Sequence, residues 1–459
     1  MKIPSMPLSL NDYVAALPED ERSRYLIDIL MNASKTVDDR GRYLHWDKLQ
    51  YVPLPDDITT PLEYWHKIKA ARNIAKRETV FKDKSGASFS YVDFDKLNEL
   101  KDWVLENAAG VLDAPDQIKN QSVKSTYLIS SIIEESINSS QMEGASTTRR
   151  VAKDMLRSGR DPKDISETMI FNNYKVMMFI RELLKDGDIK LTPEIVLKLH
   201  EIVTADTLTG KDEGKGGQYR GVEDDIVVCD PKSNEILHIP PSAAELEGRL
   251  QLICDFVNAE TDDQGSYMPP VLRAVITHFM IGYDHPFVEG NGRTARTLFY
   301  WVMMKHNYWL MEYVSISSVI KRKQKEYLKA YVHTESDDND LTYFILQQLE
   351  VIRDAIKDFH AHVARQAQRD QDILEMFKCS DLRMDLNSRQ IALIRNALGN
   401  PGNTYTIQSH QNSHACSREA ARKDLLKLSD TFELLQKYKD GKTLVFVAPH
   451  DLSERVKSP

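Results

Sequence analysis

The chain has 459 residues, of which 28% are charged and 41% hydrophobic, an ordinary balance for a globular protein of about two to four domains. The net charge of −9 argues against a chain that binds nucleic acid over its whole surface, and the absence of a run of about 18 apolar residues argues against a membrane span. The cysteines are scattered without a CxxC pair, so we expect free thiols in a reducing cytoplasm at Cys229, Cys254, Cys379 and Cys416.

Residues 1–115 predict a helical N-terminal region. An acidic start at Glu19 leads into an apolar helical pattern, and Pro61 stands where the first turn of a further helix tolerates proline. The aromatic residues of this region are interpreted as core packing, with a recognition surface as the alternative. No catalytic constellation occurs here, and the sequence leaves the role of the region open.

Another helix is predicted over about residues 130–146. Gly144 is typical of a helix C-terminal stop. Ser139 and Glu143 are four residues apart, so they lie on one face of this helix.

Residues 192–239 predict a helix followed by a hairpin. Thr192-Pro193-Glu194 is a clear helix start, and we interpret His200, on the apolar face of that helix, as a core histidine. Two β-branched segments flank the turn 230–234, which predicts a β-hairpin over about residues 226–239.

The most informative stretch is residues 285–296, HPFVEGNGRTAR, which follows an apolar helical pattern over residues 271–281. Neutral His285 can take a proton from a hydroxyl near pH 7, because an unperturbed histidine titrates at about 6.5. Glu289 is a hard oxygen ligand suited to Mg²⁺ on phosphates. A zinc site built from these two residues is disfavoured, because Pro286 breaks the helix that their spacing needs.

The second half of the stretch predicts an anion site. Gly290 and Gly292 lack side chains, so the main-chain N–H groups around Asn291 can approach an anion closely. If a helix starts at about Arg293, its free N–H groups face the same anion. Arg293 and Arg296 are three residues apart and can clamp one polyphosphate. The alternative is a structural loop with surface arginines.

The last part of the chain has a different pattern. Residues 361–380 predict a linker helix, and residues 381–459 predict a separate domain. Extended segments at 432–435 and 443–447 flank residues 437–442 like a wing, after a capped basic helix. This arrangement resembles a winged helix-turn-helix, a module that binds either DNA or protein. If it binds DNA, the basic side chains that could make the contacts are Arg418, Arg422 and Lys423.

Residues 285–296 resemble the signature of the Fic family, HPFx[D/E]GNGRxxR, at every fixed position. The resemblance implies a mainly α fold: a helical core over residues 116–360, with its catalytic Fido part at about 192–350, and a β-hairpin flap. The helical N-terminal region and the C-terminal winged helix-turn-helix flank this core. Most Fic proteins transfer AMP from ATP to a hydroxyl side chain of a protein.

The resemblance also implies roles for single residues. His285 would be the general base, Glu289 would bind Mg²⁺, and Gly290, Asn291 and Gly292 would cradle phosphate. Arg293 and Arg296 would hold the β- and γ-phosphates of ATP. Three further residues would lie near the nucleotide: Leu237, His238 and Tyr327.

Residues 139–144 resemble the inhibitory motif (S/T)xxxE(G/N) that some Fic proteins carry before the core. The resemblance implies that Glu143 pairs with Arg296 and occupies the place of the γ-phosphate, which would restrain the transfer.

Other interpretations remain open at this point. The chain could be a DNA-binding regulator whose core senses nucleotide, or an enzyme that uses another nucleotide or removes AMP. The resemblance implies that a protein target docks on the flap at about 226–239 by β-augmentation. The identity of that target and the formation of homo-oligomers are not determined by the sequence.

Overall fold

The computed structural model describes residues 2–109, 121–187, 189–224, 226–230, 233–261, 265, 267–378, 385–414, 416–440 and 443–457. The chain is mainly helical and forms two compact units, Met1–Lys357 and Asp358–Pro459. In the described part, no helix is both long enough and apolar enough to cross a bilayer. Of the cysteines, Cys379 lies outside the described residues, and Cys229, Cys254 and Cys416 are free thiols.

The helices of the first unit begin and end as follows: α1 Leu10–Ala16, α2 Glu19–Met31, α3 Trp46–Leu49, α4 Pro61–Ala75, α5 Asp95–Ala108, α6 Gln121–Met142, α7 Arg149–Ser158, α8 Ile165–Leu183, α9 Pro193–Thr204, α10 Leu246–Asn258, α11 Pro270–Asp284, α12 Asn291–Lys305, α13 Ile316–Arg322 and α14 Gln324–Ser336. The strands of this unit are β1 Lys76–Lys82, β2 Ser88–Val92, β3 Val228–Cys229 and β4 Ile236–His238.

The sequence predicted a helical N-terminal region, but this region also contains the strands β1 and β2. β1 and β2 form an antiparallel pair joined by a turn with Gly86 at φ +88°. Thr79 and Phe81 alternate with more exposed neighbours along β1, and β2 is almost wholly buried. That alternation after Lys76 is the strand signal that the helical interpretation missed.

Two central helices, α11 and α12, place the 285–290 loop inside the first unit. Nearly every residue of α11 and α12 is buried, including Arg273, His278 and Thr297. A helix that is buried on all sides belongs to a core rather than to a surface. The loop between them therefore lies where the core, α6 and α9 meet, and not at an exposed tip.

The predicted inhibitory helix differs in its bounds from the expected residues 130–146. α6 runs from Gln121 to Met142, so Ser139 lies in its last turn and Glu143 directly follows it. Gly144, at φ +97°, takes the left-handed conformation that stops the chain there. The N–H of Ala145 closes the turn on the carbonyl of Ser140.

The predicted hairpin at 226–239 is present with shorter strands. β3 and β4 are antiparallel and pair Val228 with His238 and Cys229 with Ile236, with an irregularity between the two pairs. Pro231 and Lys232 of its turn lie outside the described residues. Ile236 and Ile239 are exposed on this hairpin, which we call the flap.

α15, Thr342–Lys378, is one continuous helix that includes residues 361–378, where the sequence suggested a separate linker helix at 361–380. Residues 379 and 380 of that predicted linker, like residues 116–120 at the predicted start of the core, lie outside the described residues. An unbroken run of helix-forming residues without glycine or proline explains the continuity.

The second unit contains α16 Ser388–Gly399, α17 Ile407–His414, α18 Arg418–Leu426, α19 Leu452–Lys457, β5 Thr404–Thr406, β6 Gln436–Asp440 and β7 Thr443–Val447. Its antiparallel sheet has the order β5-β7-β6. The predicted strand at 432–435 was wrong: Leu434 and Leu435 are core residues before the strand, and polar β6 pairs with β7 instead. β6 is at the edge of this sheet, where charged side chains are common because they discourage pairing with another chain. Residues 381–384, 441 and 442 lie outside the described residues.

Candidate active site

The main chain turns sharply between α11 and α12. His285 ends α11 with φ +46° and ψ +57°, a left-handed conformation that is uncommon for a residue with a side chain. Gly290 precedes α12 with φ +85°, and the helix begins at Asn291, two residues before the predicted start. The helix starts earlier than predicted because the positive φ at Gly290 completes the turn in time for Asn291 to be helical.

The 285–290 loop is held by side chains that hydrogen-bond its main chain. Asn291 accepts from the N–H of Phe287 at 3.0 Å and donates to the carbonyl of Phe287 at 2.8 Å. The Nε of Arg220 donates to the carbonyl of His285 at 2.8 Å, and the N–H of Arg220 donates to that of Pro286 at 2.9 Å. The Asn291 side chain thus fixes the loop, and its main-chain N–H, at the first position of α12, has no acceptor within that helix.

His200 supports the same loop from α9. Its Nδ1 accepts from the N–H of Gly217 at 2.9 Å, so Nε2 carries the proton and donates to the carbonyl of Glu289 at 2.8 Å. The ring is buried and stacks on Phe287, with 3.7 Å between centroids and 5° between planes. His200 is a core histidine, as expected, but the sequence interpretation missed that it supports the loop.

His285 is arranged as a proton acceptor. Its Nδ1 lies 3.2 Å from the carbonyl of Gly282, to which only a protonated nitrogen can donate, so the lone pair lies on Nε2. Burial lowers the pKa of His285 to about 4, against a smaller raising effect of the Gly282 hydrogen bond. The imidazole is therefore neutral at pH 7, and it lines a cavity of about 150 Å³.

The two glycines serve different purposes. A Cβ at Gly290 would lie 2.8 Å from Cγ2 of Thr204, so the left-handed φ and the close approach of α9 both require glycine. A Cβ at Gly292 would clash with the carboxylate of Glu143. The first turn of α12 is thus open to a negatively charged group, and Glu143 fills that space.

Glu143 is bound by Arg296. The Nη2 of Arg296 donates to Oε1 of Glu143 at 2.7 Å, and the same guanidinium donates to the side-chain and main-chain oxygens of Ser139 at 2.8 and 3.1 Å. Burial acts to raise the pKa of Glu143, but the charge and hydrogen bond of Arg296, aided by Arg293 and His285, hold it below its ordinary value. At pH 7, where His285 is neutral, this carboxylate therefore occupies a site in which the two arginines favour negative charge.

Arg293 and Glu289 lie on the other side of the helix start. Arg293 is fully buried and donates through Nη1 to the carbonyl of Val203 at 2.8 Å, while its Nε has no partner in the described part of the chain. Glu289 is half exposed, with 51% of its side-chain surface accessible, and one oxygen lies 3.5 Å from Nη2 of Arg293. The buried guanidinium retains a donor for a further acceptor, and the exposed carboxylate, although one oxygen pairs with Arg293, is accessible to a cation.

The three residues that were expected near the nucleotide line the same cavity as His285. Leu237 and His238 reach it from β4, and Tyr327 from α14. Both ring nitrogens of His238 face acceptors, Oε2 of Glu335 and the carbonyl of Tyr283, each at 2.6 Å. Apolar and aromatic walls beside an anion site are typical of nucleotide pockets.

A further group that the sequence interpretation missed is Glu135. This buried carboxylate accepts from the hydroxyls of Tyr300 and Ser315 at 2.9 and 2.8 Å and from the N–H and hydroxyl of Ser317 at 3.1 and 2.5 Å. These hydrogen bonds link α6 to α12 and to the start of α13. Its acidic character within an apolar helical pattern was the available signal.

The predicted DNA-contacting residues lie in the second unit. Arg418, Arg422 and Lys423 are all exposed on α18, and Lys423 is 3.0 Å from Glu419.

These features define a class: a helical protein in which a helix N-terminus and buried arginines form an anion site beside a neutral histidine base. Residues 190–303 match the model of the Fic/DOC family. Over this range the chain is similar to the Fic/DOC family.

Several curated relatives are each called protein adenylyltransferase Fic. That of Nematostella vectensis is 23% identical over 211 residues, 46% of this chain and 44% of the relative. That of Culex quinquefasciatus is 24% identical over 292 residues, 63% and 53% of the two chains. That of Drosophila sechellia is 30% identical over 173 residues, 36% and 31%. The chain thus spans between about a third and a half of the length of these relatives.

Two solved structures were also found similar. A Fic family protein from Desulfovibrio desulfuricans G20 aligns with a TM-score of 0.49 and 17% identity, over 80% of this chain and 98% of that one. Fic-1 from C. elegans aligns with a TM-score of 0.46 and 16% identity, over 78% and 92%.

Proposed function

We propose that this chain transfers AMP from ATP to a serine, threonine or tyrosine hydroxyl of a protein target, and that Glu143 restrains the reaction through Arg296. The observation that carries the proposal is the carboxylate of Glu143 in an anion site at the start of α12, in the same cavity as neutral His285. A site that already accommodates an internal carboxylate has the donors that a phosphate needs.

The chemistry needs one base and one anion cradle. The target hydroxyl oxygen attacks the α-phosphorus of ATP and forms a new P–O bond, while the bond from that phosphorus to the bridging oxygen of the β-phosphate breaks. Pyrophosphate leaves with the bond's electron pair, and Nε2 of His285 takes the hydroxyl proton. Arg293 and Arg296 offer fixed positive charge for the departing phosphates, which lowers the barrier without movement of the groups that supply it.

Glu289 fits a Mg²⁺ ion that accompanies the triphosphate. Its carboxylate is a hard oxygen ligand, half exposed, and adjacent to the anion cradle. When bound, the ion would neutralise phosphate charge. Arg293, which lies next to this carboxylate, adds positive charge to the anion site near the 285–290 loop.

The proposed restraint of transfer has two causes, the negative charge of Glu143 and the space that its side chain fills. While Glu143 accepts from Arg296, a terminal phosphate meets a negative carboxylate instead of a free guanidinium. ATP would then bind in a pose unsuited to in-line attack. The flap offers an edge beside the cavity, and the proposed target backbone pairs with this edge so that its hydroxyl reaches His285.

The test compares label transfer from ATP labelled at the α- or the γ-phosphate. Glu143→Gly is expected to label protein in a lysate from the α-label alone, at least tenfold faster than the wild type, and His285→Ala in the same background abolishes the label. Glu134→Gln is the matched control, because this carboxylate of α6 pairs with Arg149 and Lys153 instead of Arg296. Equal rates for Glu143→Gly and the wild type would contradict the proposed restraint by Glu143. No α-label transfer in any variant would contradict the function.

The same assay separates other interpretations of the site. Greater transfer from α-labelled UTP or GTP than from ATP reassigns the nucleotide. Loss of AMP from pre-labelled protein, dependent on His285, would assign removal of AMP to the site.

A second candidate, DNA binding by the second unit, is supported by the exposure of Arg418, Arg422 and Lys423 on one short helix. Such contacts predict DNA retention that weakens steeply with salt. Substitution of the three residues by alanine would then abolish retention, and unchanged retention would contradict this role.

A further inference from the structure

A large basic cleft lies beside the candidate active site in the first unit. It has a volume of about 1040 Å³ and its cationic lining residues are Lys2, Lys48, Lys321, Arg322, Lys325 and Lys329. This volume lies at the upper limit of about 300–1,000 Å³ that is usual for small-molecule pockets. The cavity at His285, by comparison, measures about 150 Å³. The cleft is large enough for more than one residue of a bound polypeptide.

The charge of the basic cleft is opposite to that of the chain. Its six cations face three acidic residues, Asp47, Asp230 and Glu326, a local excess of three positive charges in a chain with a net charge of −9. Such a concentration of one sign selects an anionic partner and increases its rate of encounter.

Part of this positive charge is not neutralised internally. Lys329 pairs with Asp47 at 2.5 Å. Lys321 donates to the neutral amide oxygen of Gln141. Over the ranges that the structure describes, exposed Lys48 and Lys325 form no ion pair. An incoming carboxylate would therefore gain partners here without displacing an existing ion pair.

The basic cleft adjoins the candidate active site. Leu328 and Val332 of α14 line both the cleft and the cavity that contains His285. Asp230 and Ser233 of the flap also line the cleft. A polypeptide bound in the cleft is thus close to the flap edge where we propose that the acceptor hydroxyl is presented.

We infer that the basic cleft binds an acidic segment of the protein target, next to the hydroxyl that receives AMP. The inference rests on the proposed function for the identity of its partner. The triphosphate has its own anion site at the start of α12, so the lysines of the cleft serve a different group. Glutamate and aspartate side chains along an extended segment, about 3.3–3.6 Å per residue, can pair with successive lysines.

The first experiment measures binding without catalysis. Two fluorescent peptides share a Ser-Thr-Tyr core followed by six glutamates or by six lysines, and their anisotropy is titrated with the full wild-type chain. We expect the acidic peptide to bind and the basic one not to bind. Combined Lys48→Glu and Lys325→Glu substitutions should raise the Kd for the acidic peptide about tenfold, because two attractive contacts become repulsive. Lys163→Glu with Lys190→Glu is the matched control, since both lysines are exposed outside the cleft.

Equal affinity of the acidic peptide for the cleft variant and the control variant would overturn the inference. Tighter binding of a single-stranded oligonucleotide through Lys48 and Lys325 would overturn it in favour of a nucleic acid.

The second experiment measures transfer to the same peptides in the Glu143→Gly background. The acidic peptide should have the lower KM, and the cleft variant should raise that KM while kcat stays constant. If proteins are labelled but the acidic peptide is not bound through the cleft, only the cleft inference fails. If the peptide binds through Lys48 and Lys325 but no polypeptide is ever labelled, the proposed function fails and the acidic partner of the cleft stands.

Discussion

The Nε2 of His200 donates to the main-chain carbonyl of Glu289 at 2.8 Å, while its Nδ1 accepts from the N–H of Gly217 at 2.9 Å. One imidazole thus connects α9, the 214–217 loop and the loop of the candidate active site. Burial lowers the pKa of His200 to about 4, so the ring is neutral at pH 7 and both hydrogen bonds keep their direction. The Glu289 main chain is positioned by a residue that does not line the cavity.

This relationship predicts different effects for two substitutions at His200. The amide of His200→Gln can still donate to the Glu289 carbonyl, whereas the shorter His200→Asn can keep only the Gly217 contact. We expect kcat/KM to fall about 10–100-fold for the Asn variant and less than about threefold for the Gln variant, as for other residues that orient a site. Transfer kinetics in the Glu143→Gly background measure this, with the folded fraction checked by circular dichroism. Losses that match the folded fraction in both variants would contradict a positioning role.

Gly290→Ala should destabilise the first unit. Alanine is strained at φ +85°, and its Cβ would lie 2.8 Å from Thr204, so we expect a loss of about 2–4 kcal/mol in the free energy of unfolding. Gly144→Ala is the control, because it has φ +97° but no atom within 4 Å of the added Cβ, and it should lose only about 1 kcal/mol. Urea denaturation compares the two variants. Equal losses would show that the close approach to α9 costs nothing.

The pH dependence of transfer follows from His285. Because burial lowers its pKa to about 4 and only the neutral ring accepts a proton, kcat/KM should rise with pH through about 4 and be constant from about 6 to 8. Removal of Glu143, whose charge raises this pKa, should move the acid limb of the Glu143→Gly variant lower, not higher. Initial rates at constant ionic strength test both points. An acid limb near 6.5 would mean that the ring titrates as if exposed.

Glu135→Gln should release the restraint without touching Glu143 or Arg296. The substitution replaces an acceptor oxygen by an NH₂ group that faces donors from Tyr300, Ser315 and Ser317, at a cost of about 1–3 kcal/mol. Since α6 carries Ser139 and Glu143, weaker anchoring should raise wild-type transfer about three- to tenfold.

The effect of Glu135→Gln should be compared between the wild type and the Glu143→Gly variant. Glu143→Gly removes the carboxylate on which the proposed restraint depends, so Glu135→Gln should produce no further increase in this variant. An equal increase in both backgrounds would mean that Glu135 acts on catalysis by a route other than the inhibitory helix.

Much of the site could be predicted because its residues are local in sequence. His285, Glu289, the glycines and the arginines lie within twelve residues, where spacing alone brings them to one turn and one helix start. Helix α11 was predicted for the same reason, since its apolar pattern and Pro270 are local signals. Ser139 and Glu143 could be identified only because a short motif resembled a known one.

Long-range contacts decided the rest. No local pattern places His200 against Glu289, 89 residues away, or Glu135 beside Ser317, 182 residues away. The β1–β2 pair was missed because a strand gains its hydrogen bonds from a partner rather than from its own neighbours, and β6 because an edge strand tolerates polar residues.

By itself, the sequence determined that this chain has a base, a carboxylate, a small-residue turn and two arginines within one short segment. Only the tertiary structure decided what each of them contacts. Arg296 donates to Glu143, and Arg293 donates to the carbonyl of Val203 at the end of α9. His200 donates to the main chain of the 285–290 loop. The physical reason is that side-chain chemistry is a property of each residue, whereas burial and the partners that set charge, proton position and access arise when distant segments pack together.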